Sequence, residues 1–546
     1  MKAPMPQGRP PEPPPPAPER SASERVARED LVLFINACFA CTGQSEFYGD
    51  AADQGISIRF LHEYIQGNYR RLYARTLAAG INHYNQALII KNLLAAGAPA
   101  DPAERREEGE LILATLLALP APRAYQILRE VRSRRVNNRR TRAIIREFLR
   151  RRPDPVFDAV KYRVHMRAVA AHAHLRLPDE IGRFVFEGVS RKGSYATPLF
   201  ESFRRAHYSM ESIYELPYSI AVGLAKKHEV PQDKFLARIA PRMTALERMR
   251  LQGTAERAAV TIEIDLGRAP LTKLCSYLLS LGEEERRARS AELLDALQGS
   301  AERALRRTPL RLGRVAAVLD RSFSASGSTE KRRRPLAVAL AVSQLLRATA
   351  QAYQAVWTSP LPEIAADPGG RAAELLVSAR GPTQLAEPLL DALAGEPELV
   401  VIVSDGYEND PPGLCSEVVR LYRAHLDRRR RVSFVHVNPV FDSERFAPRT
   451  LGSALPTIGL RDAEDLLTGI GFARFADGTA PLLELESYLA QRVPQLLRRL
   501  HPAAYGRAGS ADAAVAVSTT VPDALAGAFA DNPDGGDPAE PAGLRE

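Results

Sequence analysis

The chain has 546 residues, of which 45% are hydrophobic and 25% charged, so its composition excludes collagen-like, coiled-coil and mostly disordered proteins. Its long apolar stretches, such as Pro335 to Leu346, are shorter than the roughly 18 to 20 residues that cross a bilayer. We therefore expect no membrane span and, because no secretory signal is recognisable, a cytoplasmic location. Four cysteines are too few for a disulfide framework, and we expect Cys38 and Cys41 to be buried thiols in an apolar helix.

The two ends of the chain differ in composition from the rest. Residues 1–25 contain nine prolines, which predicts a stiff, disordered tail. Residues 506–546 are rich in Ala, Gly, Asp and Pro, which predicts a second, acidic disordered tail.

Residues 26–308 have helical periodicity. Apolar residues recur every three or four positions, as at Ile58, Leu61 and Ile65. Because many short amphipathic helices pack most simply as stacked pairs, we predict an all-α, HEAT-like solenoid that could close into a ring.

Short apolar runs alternate with helical segments over residues 309–505. The predicted strands are 315–319, 353–357, 375–377, 399–403 and 432–437, and the predicted helices are 332–350, 384–394 and 414–429. This alternation predicts a doubly wound, mostly parallel α/β sheet covered on both faces. Ligands of such sheets bind at the carboxyl ends of the strands.

Positive charge is concentrated in residues 131–176. This segment holds fourteen basic and three acidic residues, whereas the net charge of the whole chain is +9. Thirteen of the fourteen are arginines, whose guanidinium groups match phosphate oxygens and stack on bases. Such a block repels itself unless a counter-charge binds, so we expect a nucleic-acid surface; an ordinary solvated helix face is the alternative. The candidate contacts from this block are Arg132, Arg134, Arg135, Arg139, Arg140 and Arg142.

Carboxylates and hydroxyls are predicted to meet at one edge of the sheet. Asp320, Ser322 and Ser324 form an Asp-x-Ser-x-Ser loop after the first predicted strand. Asp405 follows the fourth, and Thr383 opens a helix between them. This all-oxygen set suits a small divalent cation such as Mg²⁺, with water completing its shell.

The arrangement resembles the von Willebrand factor A domain and its metal-ion-dependent adhesion site. The resemblance implies that Ser322, Ser324 and Thr383 are direct or near-direct ligands, while Asp320 and Asp405 act mainly through water. An acidic group of a partner or a phosphate would complete the shell. Arg321 and Phe323 are bulkier than the residues usual at their positions, and Arg321 could supply a resident positive charge.

A helical region joined to an A domain is similar to the Ro autoantigen, or TROVE-module, family of RNA-binding proteins. The resemblance is carried by residues 33–50 with the following helix, by 159–163 with 174–178, and by 270–274. It implies that Lys161, Arg167 and His174 contact RNA on the outside of a ring, with Arg163 as the alternative to Arg167.

Two functions are consistent with these features. The first is a non-catalytic, monomeric, Ro-like protein that binds small structured non-coding (Y-type) or misfolded RNA, or RNA 3′ ends, with a Mg²⁺-binding A domain closing the ring. An exoribonuclease is a candidate partner of such a protein. The second is an adaptor whose A domain clamps an acidic partner, such as a MoxR-type AAA+ ATPase. The sequence contains no GxxxxGK[ST], HExxH or GxSxG motif, so we expect no enzymatic activity.

Overall fold

In the computed structural model the described residues are 21–501, apart from 192, 259, 261, 263–265, 308–311, 363–369, 430, 477–479 and 499. The predicted acidic tail and the predicted domain boundary at 308/309 lie outside the described residues, as does the proline-rich tail up to residue 20. The first helix begins at Ala22, where the Ser21 side chain caps it by accepting a hydrogen bond from the Glu24 amide.

The first part of the described chain is entirely helical. Its helices are α1 (Ala22–Ala40), α2 (Ala51–Asn68), α3 (Arg70–Arg75), α4 (His83–Ala95), α5 (Pro102–Ala118), α6 (Ala121–Ser133), α7 (Arg139–Arg150), α8 (Pro155–Lys161), α9 (Arg163–His172), α10 (Asp179–Glu187), α11 (Pro198–Ala206), α12 (Tyr218–Lys227), α13 (Gln232–Ile239), α14 (Ala245–Arg257), α15 (Leu271–Leu278), α16 (Glu283–Ala288) and α17 (Ser290–Arg307).

The second part alternates strands and helices. Its elements are β1 (Leu312–Leu319), α18 (Arg334–Thr349), β2 (Ala350–Trp357), α19 (Arg371–Leu375), α20 (Ala386–Ala394), β3 (Leu399–Val403), α21 (Leu414–His425), β4 (Ser433–Asn438), β5 (Thr457–Gly459), α22 (Leu466–Ala476) and α23 (Leu482–Leu497). The predicted fold class, an α-helical domain followed by a parallel α/β domain, is therefore confirmed.

The helices from α2 to α9 pack in two layers. One layer is the series α2, α4, α6 and α9, and the other is the series α3, α5 and α7. Side-chain caps set where many of these helices begin: Asp50, Asn82, Asp101 and Asn138 accept hydrogen bonds from the first free amides of α2, α4, α5 and α7. This layered stacking is the solenoid arrangement that the periodicity predicts. Cys38 and Cys41 are buried in or directly after α1, as predicted.

The sheet has the strand order β2-β1-β3-β4-β5, and every pairing in it is parallel. The chain moves outward from β1 to β2 and then crosses to β3 on the other side of β1. Leu319, the last residue of β1, is in register with Val403 at the end of β3. The residues that follow these two strands thus meet at the topological switch point, where open α/β sheets bind ligands.

Helix α18 joins the two domains through a shared core. Its apolar residues are buried on all sides, and it packs on β1 and β2 on one side and on α15 and α17 on the other. The opposite face of the sheet is covered by α20 and α21. The apolar run from Pro335 to Leu346 is therefore a helix buried between two layers, which explains why it is hydrophobic all round.

The α/β domain contacts both ends of the helical domain. At one end α1 packs on β5, where Asn36 Nδ2 donates to the Thr457 carbonyl at 3.0 Å. At the other end the hydroxyl of Thr272 on α15 donates to Glu464 at 2.6 Å. The chain therefore closes on itself through the α/β domain.

Two details of the predicted α/β region were wrong. Residues 375–377 are not a strand: α19 ends at Leu375, and the carbonyl groups of Leu375 and Val377 accept hydrogen bonds from Arg286 of the helical domain at 2.7 and 3.0 Å. The short edge strand β5 was not predicted, because three residues are too few to show a periodicity.

Candidate nucleic-acid interface and metal edge

Four exposed arginines surround the connection between α6 and α7. They are Arg132, Arg134, Arg135 and Arg139, which we call the arginine turn. Arg135 adopts a left-handed backbone conformation with φ of +58°, and the Asn138 side chain caps α7 by accepting from the Thr141 amide at 2.8 Å. None of the four makes an ion pair with another described residue, so their charges face solvent uncompensated.

The arginine turn lies against the connection that follows α9. The Nε2 of His172 donates to the Val136 carbonyl at 2.8 Å, and Asn137 Nδ2 lies 3.5 Å from His174 Nε2. His174 and Arg176 are both exposed. The structure therefore brings His174 together with the arginine turn, although about forty residues separate them in sequence.

Arg140 has to be removed from the predicted contacts. Its side chain is only 6% exposed, and its guanidinium pairs with Glu108, which is 3% exposed and also pairs with Arg70. Because the Arg140 guanidinium is bound to a buried carboxylate, RNA cannot reach it. Arg142 is half-buried, and its Nη1 lies 3.4 Å from the Asn137 carbonyl. Its guanidinium therefore contacts the backbone of the connection between α6 and α7.

The candidate contacts on α8 and α9 differ in accessibility. Lys161 is half-buried, its ammonium donates to the Ser219 carbonyl, and burial lowers its pKa. Arg163 packs with its guanidinium carbon 5.4 Å from the centre of the Phe184 ring, and its pKa is lowered by burial too. Arg167 is exposed, so it is the member of the Arg163 and Arg167 pair that a polyanion can reach directly.

The predicted metal residues lie at the carboxyl edge of the sheet. We call Asp320, Ser322, Ser324, Thr383 and Asp405 the metal edge. The Ser322 amide donates to Asp320 Oδ1 at 2.8 Å, and the hydroxyl oxygens of Ser322 and Ser324 are 3.1 Å apart.

Two neighbouring loops hold the metal edge together. Gly381, two residues before Thr383, accepts a hydrogen bond from the Phe323 amide at 3.0 Å, which joins the loops that carry Thr383 and Ser324. The side chain of Asn438 donates to the Asp405 carbonyl at 2.9 Å. The loops that carry Thr383 and Asp405 are thus each held by a contact from another element.

The donor set of the metal edge fits a small divalent cation. Burial and then the nearby Asp405 charge raise the pKa of Asp320; burial raises the pKa of Asp405, and the Ser324 hydroxyl opposes that rise. Two buried carboxylates that share one small space are relieved by a cation. Among the described residues there is no cluster of three or more His, Cys, Asp and Glu side chains suited to a metal, so a metal here would depend on the hydroxyls.

Arg321 does not supply a positive charge to the metal edge. Its guanidinium turns away into the domain, where Nε donates to the Ser378 carbonyl at 3.0 Å and Nη1 to the Pro360 carbonyl at 3.3 Å. Phe323 is 66% exposed and points outward. Arg321 and Phe323, the two bulky residues between the predicted ligands, therefore do not displace the ligand oxygens of the metal edge.

Tyr48 of the helical domain lies over the metal edge, and the sequence did not single it out. Its ring packs on Tyr407 with centroids 4.2 Å apart. Burial and the charge of Asp405 raise the pKa of its hydroxyl, and Ser324 lies within its hydrogen-bonding reach. The sequence indicates only that a turn connects α1 and α2. The docking of the two domains decides which edge of the sheet this turn faces.

A cleft of about 510 Å³ opens beside Tyr48, between α2 and the α/β domain. Its carboxylates are Glu46, Asp50, Asp53, Asp405, Asp442 and Glu444. This cleft is acidic, whereas the arginine turn is basic, so a polyanion would be attracted to the arginine turn and repelled from the cleft.

No protein-family model matches this chain, and neither does any curated protein. Among solved structures it is similar to the crystal structure of the Deinococcus radiodurans Ro (RSR) protein, with a TM-score of 0.48 and 15% sequence identity over 77% of this chain and 94% of that chain. Within the described residues no helix combines the length and the apolar character of a membrane span.

Proposed function

We propose that this chain is a non-catalytic RNA-binding protein whose principal contact surface is the arginine turn together with His174. The observation that carries the proposal is the grouping of four exposed arginines, without acidic partners among the described residues, beside an exposed histidine from another helical connection. Guanidinium groups bind phosphate oxygens in a forked geometry and can stack on bases. Arg167 and Arg176 extend the same charge, since both are exposed.

Ion pairs formed by other arginines of the basic segment narrow the proposed surface to the arginine turn. Arg150 and Arg151 share Glu147, and Arg152 pairs with Asp158, so two carboxylates offset two of these three positive charges within the protein. The arginine turn keeps its charge. We infer that the RNA is a small structured or misfolded non-coding RNA, because phosphates of a folded RNA can meet several arginines of an exposed turn at once.

Recovery of bound RNA tests this function. The full chain would be purified natively without nuclease, and any co-purifying RNA quantified by the 260/280 nm absorbance ratio and sequenced. The same would be done after changing Arg132, Arg134, Arg135 and Arg139 to Glu. We expect a discrete small RNA with the native chain and its loss in the variant.

A matched control changes four exposed arginines elsewhere, Arg238, Arg287, Arg314 and Arg420, to Glu. These arginines lie in exposed ion pairs, so the control alters net charge equally at little cost in stability. It should keep its RNA. Equal RNA recovery from both quadruple variants would show that the arginine turn is not the surface.

The metal edge supports a second proposal, that Ser322, Ser324 and Thr383 would hold Mg²⁺, with Asp320 and Asp405 acting mainly through water. The close hydroxyl pair and the two buried carboxylates favour it. An adaptor that clamps an acidic partner, such as an AAA+ ATPase, would use this edge. That function requires access for the partner carboxylate at a place where Tyr48 already lies. We therefore favour RNA binding as the main function.

A further inference from the structure

The turn between α1 and α2, residues 42–50, is fastened to the loop that carries Ser322 and Ser324. The Ser45 amide donates to Glu330 Oε2 at 3.0 Å, and the Ser328 hydroxyl donates to the Ser45 carbonyl at 2.8 Å. Glu46 and Lys331 form an ion pair in which both side chains are buried. The two domains are thus joined within a few residues of the metal edge.

Helix α2 adds a second set of contacts on the other side of the same turn. The Ser57 hydroxyl donates to the Ser443 carbonyl at 2.8 Å, and Gln54 Nε2 reaches the Phe441 carbonyl at 3.4 Å. Residues 441–443 belong to the segment after β4, whose Asn438 also holds the Asp405 loop. The turn is therefore held from both sides, with Tyr48 between the two sets of contacts.

Tyr48 lies at the outward side of the metal edge, where it lines one cleft with Asp405 while 51% of the residue stays exposed. Its ring lies on Tyr407, which in turn is covered by the Arg449 guanidinium, 3.8 Å from the ring centre. Burial and the charge of Asp405 raise the pKa of the Tyr48 hydroxyl, and hydrogen bonding with Ser324 lowers it. In an adhesion site, this outward side is where a partner's carboxylate would approach. Here a neutral phenol of the same chain lies there instead.

We propose that the metal edge is an internal clamp between the domains: Tyr48 takes the position of an external ligand, and a divalent cation bound at the edge strengthens the docking of turn 42–50. This inference rests on the proposed metal edge and is independent of RNA binding. A coupling of this kind is reciprocal, so the docked tyrosine must strengthen cation binding as much as the cation strengthens docking.

The test uses the full chain, with Mn²⁺ alone as the probe. Mn²⁺ affinity would be measured by electron paramagnetic resonance for the native chain and for Tyr48→Phe, which keeps the ring and removes the hydroxyl. Deuterium exchange of residues 42–60 would be followed with and without Mg²⁺. We expect Tyr48→Phe to weaken Mn²⁺ binding by about three- to tenfold, which is the effect of losing one hydrogen bond. We also expect it to reduce the protection of the turn that depends on Mg²⁺.

Tyr64→Phe is the matched control. Tyr64 lies on α2, the helix that follows the turn, and its hydroxyl donates to Asp30 on α1, so this variant should behave as the native chain in both measurements. Unchanged Mn²⁺ affinity and protection in Tyr48→Phe would overturn the clamp. So would tighter Mn²⁺ binding in that variant, because the tyrosine would then compete with the cation. A native chain that binds no Mn²⁺ but still recovers RNA would overturn the metal edge and the clamp together, leaving the RNA proposal standing.

Discussion

At the scale of single residues, a basic sequence does not distinguish a surface charge from a buried one. Arg139 and Arg140 are neighbours in an arginine-rich segment, yet Arg139 is exposed while Arg140 is buried against Glu108. Their order along α7 shows that they occupy different faces, but the partner that neutralises Arg140 lies 32 residues away on α5. The predicted metal edge was easier to place, because Asp320 and Asp405 closely follow two strands that are in register.

The pair offers a direct comparison of structural and functional roles. Arg140→Ala should destabilise the chain by about 3 kcal/mol, because it removes one partner of the buried Glu108 carboxylate. Urea unfolding would measure this destabilisation. Arg139→Ala should leave stability unchanged and weaken RNA binding by roughly fivefold at 0.15 M salt, the effect of leaving one phosphate without its arginine.

Affinity for the co-purified RNA would be measured by fluorescence anisotropy on folded protein. If Arg140→Ala lowered RNA affinity and left stability unchanged, the assignment of Arg140 to the interior would be wrong.

At the scale of elements, hydrophobic periodicity predicted most of the fold. The strands β1, β3 and β4 and the helices α18, α20 and α21 all lie where alternation of apolar runs placed them. The failure at 375–377 has a specific cause, since the carbonyl groups of this apolar run are taken up by Arg286 from another domain. Periodicity describes which face is buried and carries no information on such a partner.

Among the contacts between elements, the Glu46–Lys331 ion pair is the one whose contribution to the free energy of unfolding is most simply tested. Lys331→Met should cost about 3 kcal/mol, because it leaves Glu46 buried with only the more distant Arg334, and burial already raises the pKa of Glu46. The double variant Lys331→Met with Glu46→Gln should recover most of that stability, because no buried charge is then left unpaired.

Urea midpoints of the native chain, both single variants and the double variant would give the coupling energy of the pair. A Lys331→Met chain as stable as the native one would show that the pair does not fasten turn 42–50.

At the scale of the whole molecule, the α/β domain contacts the first and the last helices of the helical domain, so the chain is closed without a second copy. The sequence predicted both domains and their order but not the surfaces on which they meet. Those surfaces depend on long-range pairs such as Asn36 with Thr457 and Glu46 with Lys331, which no local pattern reveals. Closure leaves two oppositely charged sites, the acidic cleft beside Tyr48 and the arginine turn.

The salt dependence of affinity is the sharpest test of RNA binding by the arginine turn. The dissociation constant for the co-purified RNA would be measured at several salt concentrations for the native chain, the arginine-turn variant with Glu at 132, 134, 135 and 139, and the control variant with Glu at 238, 287, 314 and 420. We predict a steep fall of log affinity with log salt in the native chain and the control, and a slope shallower by roughly three to four in the arginine-turn variant, about 0.9 for each phosphate that the variant no longer neutralises. The same slope in all three proteins would show that the arginine turn does not bind the phosphates.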